Sequence, residues 1–495
     1  MSLVIGIDIG TSSTKTLLLN GEGQVITSAS SSYQISTPRT GWVEQETDEW
    51  WQAVCATVRQ IVHHLESDQS PFSISDIKGV SLSGQMNGAV FVDADGYPLR
   101  SAILWLDQRS QRQCDQANER AGHLLRDHAL HVLNPINTLA KVLWFKENQP
   151  DLYAQVHYVL LPKDWIRFKL TGKFQAEVTD SSVTAALDLY TRNWSGEILE
   201  ALEVGENLFP EVVESSTITG RITKRVAAET GLRMGTPVCA GGGDMACMAV
   251  GSSIVKPGIV SVGIGTAGHV LTYAETVDDA AFNQLWPMCH AIPGKYFWLG
   301  CSYTGGASLT WFRDQFGDSF TELIETAQNV PVGSDGLFFI PWFQGTATPC
   351  PDANARAGWV GMTLHHTKAH MIRALMEGVV FDLRHSLECF KQLNLPISEI
   401  YIGEGGSRSE LWRQMQADIF GQQVRILEVE DVSALGAAII AGVGVGVFDN
   451  FESACDLTVS LGQTIFSNTE QIEKYERYYR RYSGLYPSLK NWFST

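Results

Sequence analysis

An acid at the end of an apolar run is followed by a glycine, hydroxyl residues and a lysine: Asp8-Ile9-Gly10-Thr11-Ser12-Ser13-Thr14-Lys15. This grouping suits phosphate chemistry. Gly10 permits a tight turn, exposed backbone N–H groups and hydroxyls such as those of Thr11 and Ser12 can donate to phosphate oxygens, and Asp8 can hold a magnesium ion directly or through water. Taken alone, the same residues also suit an ordinary polar hairpin. A second acid, Asp244, stands directly after Gly241-Gly242-Gly243, where bare backbone can lie close to a ligand and the carboxylate can project into a cleft. A general base for phosphoryl transfer needs such placement, within about 3 Å of the hydroxyl whose proton it takes. Taken alone, a Gly-Asp pair also suits an acidic turn or a helix N-cap.

Three further glycine-rich segments bear on nucleotide binding. No GxxxxGK[ST] sequence occurs, so a Walker-type loop is excluded. Gly263-Ile264-Gly265-Thr266-Ala267-Gly268 matches GxGxxG, yet a dinucleotide fingerprint must open a helix, and the following 269–273 read as a strand. A second phosphate-contacting hairpin, with Thr266 as donor, is the more economical reading. Gly403-Glu404-Gly405-Gly406-Ser407-Arg408-Ser409 lies between a strand-like run and a helix carrying Leu411, Trp412, Met415, Ile419 and Phe420. Its glycines would let adenine and ribose approach the backbone, and the helix N-terminus favours anions. Residues 434–442 read as a closely packed helix with no chemistry of its own.

The elements that must position these residues form two similar sets. An apolar run at 3–9, a Gly/Thr/Ser turn, a run at 16–19, the turn 20–23 and a run at 25–28 predict a three-stranded antiparallel meander. From Thr47, Trp50, Trp51, Val54, Val58, Ile61, Val62 and Leu65 recur at helical spacing, and strands are expected at 79–83, 89–93 and 102–105. A second meander begins near Ile259, and Gly6-Ile7-Asp8-Ile9-Gly10-Thr11 overlays Ser261-Val262-Gly263-Ile264-Gly265-Thr266. The expectation is a mixed α/β chain of two like lobes, each offering a Gly/Thr turn to a shared cleft, with the boundary at 245–258 and a substantial interface.

Length and charge agree. A chain of 495 residues exceeds what one core usually fills, and 54 acidic against 36 basic residues give a net charge of −18. That balance argues against nucleic acid or an anionic membrane as partner and favours a small molecule. The start MSLVIGIDIG has no basic region before its apolar run, no segment reaches the roughly 20 apolar residues of a membrane span, and a cytoplasmic location is expected. The nine cysteines are scattered without a CxxC pair, which suits reduced thiols, and neither a disulfide framework nor a zinc site is indicated.

Together these segments resemble the FGGY carbohydrate kinases, and among them most closely the xylulose kinase group, over residues from about 3 to about 448. Thr138-Leu139-Ala140-Lys141-Val142-Leu143-Trp144-Phe145-Lys146-Glu147-Asn148 is similar to the first family signature, and Ala357-Gly358-Trp359-Val360-Gly361-Met362 through His370, Met371 and Ala374-Leu375-Met376-Glu377 to the second. The resemblance implies two actin-like, ribonuclease-H-like domains flanking a catalytic cleft. Residues 1–248 would bind sugar and carry the base, and 249–495 would bind ATP. It implies Asp244 as catalytic base and Asp8 as the magnesium-linked acid. The sugar contacts would be Gln85, Met86, Asn87, Asp244 and Met245, and the nucleotide contacts Thr11, Ser12, Lys15, Gly265, Thr266, Gly405, Gly406 and Ser409. ATP and Mg2+ would be the cofactors, a small sugar or polyol the partner, with D-xylulose first, and a homodimer the candidate assembly. Departures from the xylulose kinase pattern fall on the substrate side: Asn87 stands where histidine is usual, Met245 where asparagine is, and Gly345-Thr346-Ala347-Thr348-Pro349 replaces a stretch with an ion pair or anion contact.

Overall fold

The computed structural model describes residues 2–68 and 70–494. In the first lobe the run at the start of the chain forms β1 (Leu3–Ile9), buried throughout except at Asp8. It pairs antiparallel with β2 (Ser13–Asn20), which pairs antiparallel with β3 (Val25–Ser32). The helix α1 (Thr47–Leu65) buries the expected face, and β4 (Ile77–Gly84) returns parallel to β1. With β5 (Ile218–Arg221), β6 (Pro237–Cys239) and β7 (Gly242–Gly243), the sheet order is β5-β6-β4-β1-β2-β3, and β7 extends beside β4. The helix α2 (Asp244–Gly251) begins where β7 ends.

The second lobe repeats the plan. Its strands are β8 (Gly258–Ile264), β9 (Gly268–Ala274), β10 (Trp286–Cys289) and β11 (Tyr296–Ser302). There follow the long helix α3 (Lys368–Gln392), β12 (Ile397–Gly403), α4 (Glu410–Phe420), β13 (Val424–Leu427), α5 (Val432–Gly444) and β14 (Leu461–Ile465). The sheet order is β10-β11-β9-β8-β12-β13-β14. In both lobes the leading strand is antiparallel to the next strand and parallel to the one that returns after helices. Asp8 therefore lies opposite Lys15 and Ser83, as Gly263 lies opposite His269 and Gly403. The Gly/Thr similarity marks a repeat of topology.

Two expectations need correction. The first turn is shorter than predicted, because β2 starts at Ser13: Thr14 and Thr16 are buried in the sheet, so Lys15 is a strand residue directly across from Asp8. The predicted strands near 90 and 103 leave the main sheet and pair with Tyr158–Leu160 and Glu44–Gln45.

The lobes meet through helices, not a linker. Helix α5 packs on α2 and on β1 and β4 of the first sheet, so the carboxy-terminal half covers the amino-terminal one. Glycines permit the approach: a Cβ on Gly436 would sit 1.9 Å from the Cys247 carbonyl oxygen, and one on Gly6 would sit 2.1 Å from that of Ala434. Both obstructions are backbone and cannot swing aside. Gly436→Ala should therefore cost about 1–3 kcal/mol or more by overpacking, read as a lowered thermal midpoint against the gain that alanine gives in an unobstructed helix. All nine cysteines are free, and among the described residues no helix is long and apolar enough to cross a membrane.

Candidate functional site

The first acid is held from both flanking strands. Ser83 Oγ donates to Asp8 Oδ1 at 2.7 Å, and Lys15 projects from the opposing register position. Burial raises the Asp8 pKa, while Ser83 and Lys15 oppose the shift. Lys15 forms an ion pair with Asp431, the residue before α5. Asp8 and Lys15 line a cavity of about 180 Å³ with Gly263, His269, Gly403 and Glu404 of the second lobe and with Val432, Ser433 and Ala434 at the start of α5. Backbone N–H groups at a helix N-terminus beside a lysine favour phosphate, and the carboxylates of Asp8 and Asp431 form the all-oxygen set that suits a hydrated magnesium ion. Helix α5 thus corrects the expectation of a purely packing element, since its first turn borders this cavity.

The repeat explains why only one lobe supplies such an acid. At Gly263, the counterpart of Asp8, a Cβ would lie 2.2 Å from the His269 ring and 2.8 Å from Glu404 Oε2. His269 takes the register position that Lys15 has in the first lobe.

The second acid, Asp244, opens α2 one residue beyond the β7–β4 pairing. Thr179 Oγ1 accepts the Gly243 N–H at 2.9 Å and donates to Glu177 Oε2 at 2.8 Å, which fixes the backbone that presents the acid. Beneath lies a fully buried cluster: Lys163 Nζ is 2.7 Å from Asp164 Oδ1, 3.3 Å from Asp180 Oδ2 and 3.4 Å from Glu177 Oε2. Burial, then the Asp8 carboxylate, pushes the Asp244 pKa up to about 7, against a hydrogen bond from the Met245 N–H. A carboxylate poised there can take a proton at neutral pH and give it up afterwards.

The sugar-side residues leave the same sheet end. Met86 and Asn87 follow β4 as Asp244 follows its neighbour β7. A Cβ on Gly243 would meet Met86 Cε at 2.6 Å, so the glycine lets Met86 seat beside the acid. Asn87 has a left-handed backbone (φ 65°), and its buried Oδ1 has no protein partner, the condition of an acceptor awaiting a ligand hydroxyl. Met245 is half-buried in the apolar cluster with Met86. Gln85 is buried, its amide donates to Gln45 Oε1 at 3.1 Å while Gln45 in turn donates to the Thr11 carbonyl, and its Oε1, like Asn87 Oδ1, has no protein partner. It braces the first hairpin.

A second cavity of about 500 Å³ lies at the β8–β9 hairpin, where Ile264 and Gly405 follow Gly263 and Glu404 of the first. It is lined by Ile264, Gly265, Thr266, Gly306, Gly405, Arg408, Ser409 and Trp412, among others. Its size suits a nucleotide. Bare backbone forms its floor, since a Cβ on Gly265 would lie 2.7 Å from Glu404 Oε2 and one on Gly306 2.7 Å from the Gly265 carbonyl. Gly265, Thr266, Gly405 and Ser409 thus come together as expected, and Ser409 caps α4. Gly406 lies behind them, its carbonyl accepting from Gln416. Thr11 and Ser12 line neither cavity: the Thr11 hydroxyl accepts from Trp105 Nε1 at 3.1 Å, and Ser12 is exposed.

Sequence reasoning missed Ser83, Asp431, Glu404, Trp105 and the Lys163 cluster. The repeat could have pointed to Glu404, which follows Gly403 as Gly84 follows Ser83 in the first lobe. The others are long-range partners with no local signature.

The FGGY family of carbohydrate kinases matches this chain twice, by its N-terminal domain over residues 3–251 and by its C-terminal domain over 261–445. A xylulose kinase of Bacillus subtilis is 35% identical over 494 residues, covering 99% of this chain and 98% of that protein. Among solved structures, a "xyloylose kinase" from Brucella ovis has a TM-score of 0.92 at 30% identity and 99% coverage of both chains. A gluconate kinase from Lactobacillus acidophilus has a TM-score of 0.91 at 24% identity, covering 99% of this chain and 98% of that one, so the fold alone does not select the substrate.

Proposed function

The chain belongs to the FGGY family of carbohydrate kinases, and from that premise we propose that it phosphorylates a sugar hydroxyl with Mg-ATP, converting D-xylulose to D-xylulose 5-phosphate. The observation that carries the reading is the juxtaposition of Asp244, raised to about 7, with a phosphate-sized cavity that Asp8, Lys15 and the start of α5 share. The relatives named xylulose kinase support the choice of sugar.

In this reading the base of ATP would lie in the second cavity, near the Gly265–Thr266 turn and the Gly405 loop, and its phosphates would reach the first. Asp244 takes the proton as the sugar hydroxyl attacks the γ-phosphorus, the bond from that phosphorus to the bridging oxygen breaks, and ADP leaves. Lys15 and the backbone N–H groups at the start of α5 face the phosphate oxygens. Asp8 would hold a magnesium ion, which when bound would supply charge neutralisation at the phosphates. Met86 and Met245 keep the neighbourhood of Asp244 apolar, and Asn87 accepts a hydrogen bond from a sugar hydroxyl.

A pH profile follows. Asp244 acts as a base only when deprotonated, so kcat/KM should fall with unit slope as pH drops below about 7 and level off above it. A plateau extending unchanged down to pH 5 would contradict the base assignment.

The departures at Asn87 and Met245 favour a second reading, a kinase of another small polyol or sugar such as ribulose, ribitol, glycerol, erythritol or gluconate. ADP release measured over these compounds and D-xylulose separates the two. The first reading expects the highest kcat/KM with D-xylulose. Preference for another compound would overturn the sugar and leave the reaction class standing. ADP release independent of any sugar would overturn the kinase reading itself.

A further inference from the structure

Away from the cleft, two segments of the second lobe bring three metal-ligating side chains to one point. Asp335 lies in the turn before Phe338–Ile340, His365 in the loop before α3, and His370 in the first turn of α3. One ligand atom from each lies within 4.8 Å of the other two. His370 Nε2 is 3.2 Å and His365 Nε2 3.5 Å from Asp335 Oδ2. Zinc bonds of about 2.0–2.1 Å in tetrahedral geometry give ligand–ligand edges of roughly 3.3–3.4 Å, so both separations already match. The remaining edge, between the two rings, can close by rotation of His365, whose side chain is 74% exposed.

The surroundings hold two ligands in place. Glu377 Oε1 accepts the Gly333 N–H and Oε2 the Ser334 hydroxyl, each at 3.0 Å, which ties the Asp335 turn to α3. Asp335 itself has a left-handed backbone (φ 52°), which aims its carboxylate at the start of the helix. His370 Nδ1 accepts the Thr367 N–H at 3.2 Å and lies 2.9 Å from Thr367 Oγ1, so the ring proton faces Asp335 from Nε2; a metal at Nε2 would move that proton to Nδ1, where Thr367 Oγ1 can accept it in place of the N–H contact. None of the three residues lines the two cavities of the proposed reaction.

We propose that Asp335, His365 and His370 form a binding site for a divalent transition-metal ion, zinc in particular, separate from the magnesium of phosphoryl transfer. Two imidazoles and one carboxylate select zinc-like ions over magnesium, which requires oxygen donors. A water molecule completes the tetrahedron on the solvent side. The bound ion links the Asp335 turn to the first turn of α3 and so stabilises the fold of the second lobe.

Titration calorimetry of the untagged full chain with zinc chloride tests this. One equivalent should bind to wild type. His365→Ala removes an exposed ligand without disturbing packing, and Asp335→Asn weakens the carboxylate. Each should lose affinity by at least the roughly 10–100-fold that loss of an outer-shell partner costs. Cobalt(II) in place of zinc should give the visible absorption of a four-coordinate site, and both substitutions should diminish it. Absence of stoichiometric zinc binding in wild type would overturn the proposal. So would wild-type affinity in both variants, which would assign the zinc to other residues.

Discussion

Replacing Asp244 by asparagine should lower kcat by roughly 10²–10⁴, the range that general-base catalysis supplies. The substitution keeps the size of the side chain and can keep the hydrogen bond from the Met245 N–H to Asp244 Oδ1, 2.8 Å in the wild type, so the start of α2 should hold. It removes a proton acceptor and one of two charges, since the Asp8 carboxylate is the second cause of the raised Asp244 pKa. ATP affinity should change little, because the large nucleotide cavity is built from 264–266, 306–310 and 405–412, away from α2. A titration of nucleotide binding beside steady-state kinetics checks both halves, and wild-type turnover in the variant would remove Asp244 from the chemistry.

The second large effect is on stability. Lys163→Met should destabilise the first lobe by about 3–5 kcal/mol, because it leaves buried carboxylates without their cation. Arg167 would still reach Asp164 at 2.7 Å, but Glu177 and Asp180 lie fully buried around the lost ammonium. For a lobe of this size the loss corresponds to roughly 6–20 °C in thermal midpoint. Its pH dependence has a definite sign. Burial raises the Asp180 pKa well above the usual carboxylate value even in the wild type, and Asp164, Glu177 and Asp244 raise it further against Lys163. A group with a raised folded-state pKa contributes stability at low pH that is lost as pH rises through the folded value. Removing Lys163 pushes Asp180 higher still, so the gap between variant and wild type should narrow as pH falls. Midpoints recorded by circular dichroism at several pH values decide this, and a gap that widens toward acid would refute the account of the cluster.

Much of this arrangement is legible in the amino-acid sequence, and what is legible is local. The alternation around Asp8, the glycines before Asp244 and the two Gly/Thr turns each occupy a few consecutive residues. The overlay of Gly263 on Asp8 anticipates a topological repeat that places Asp8 and Gly263 at matching register positions. What sequence cannot supply is partnership across long stretches of chain, 416 positions in one case and 64 in the other. Lys15 meets Asp431, and Thr179 meets Gly243, through sheet order and the α2–α5 contact. Spacing likewise cannot say which way a side chain turns, and so it does not show that the Gln85 amide N–H bonds Gln45 or that the Thr11 hydroxyl accepts from Trp105.

The two family signatures illustrate the same limit. The buried ammonium of Lys141 donates to the carbonyls of Pro135, Ile136 and Asn137, and burial pushes its pKa down to about 7. Arg373 pairs with Glu377 and bonds the Tyr475 hydroxyl. Both signatures fix helices and loops around the cleft. The residues proposed for the phosphoryl transfer lie outside them: Asp8 and Lys15 on paired strands and Asp244 at the start of α2.

A single-turnover rapid-quench measurement with D-xylulose and radiolabelled ATP tests the central claim most directly, because it reads phosphoryl transfer without product release. The account predicts label on the sugar, at a rate that falls as pH drops below about 7 in wild type, and in Asp244→Asn a rate smaller by orders of magnitude and independent of pH over that range. Transfer by Asp244→Asn at the wild-type rate, with the same pH dependence, would contradict it.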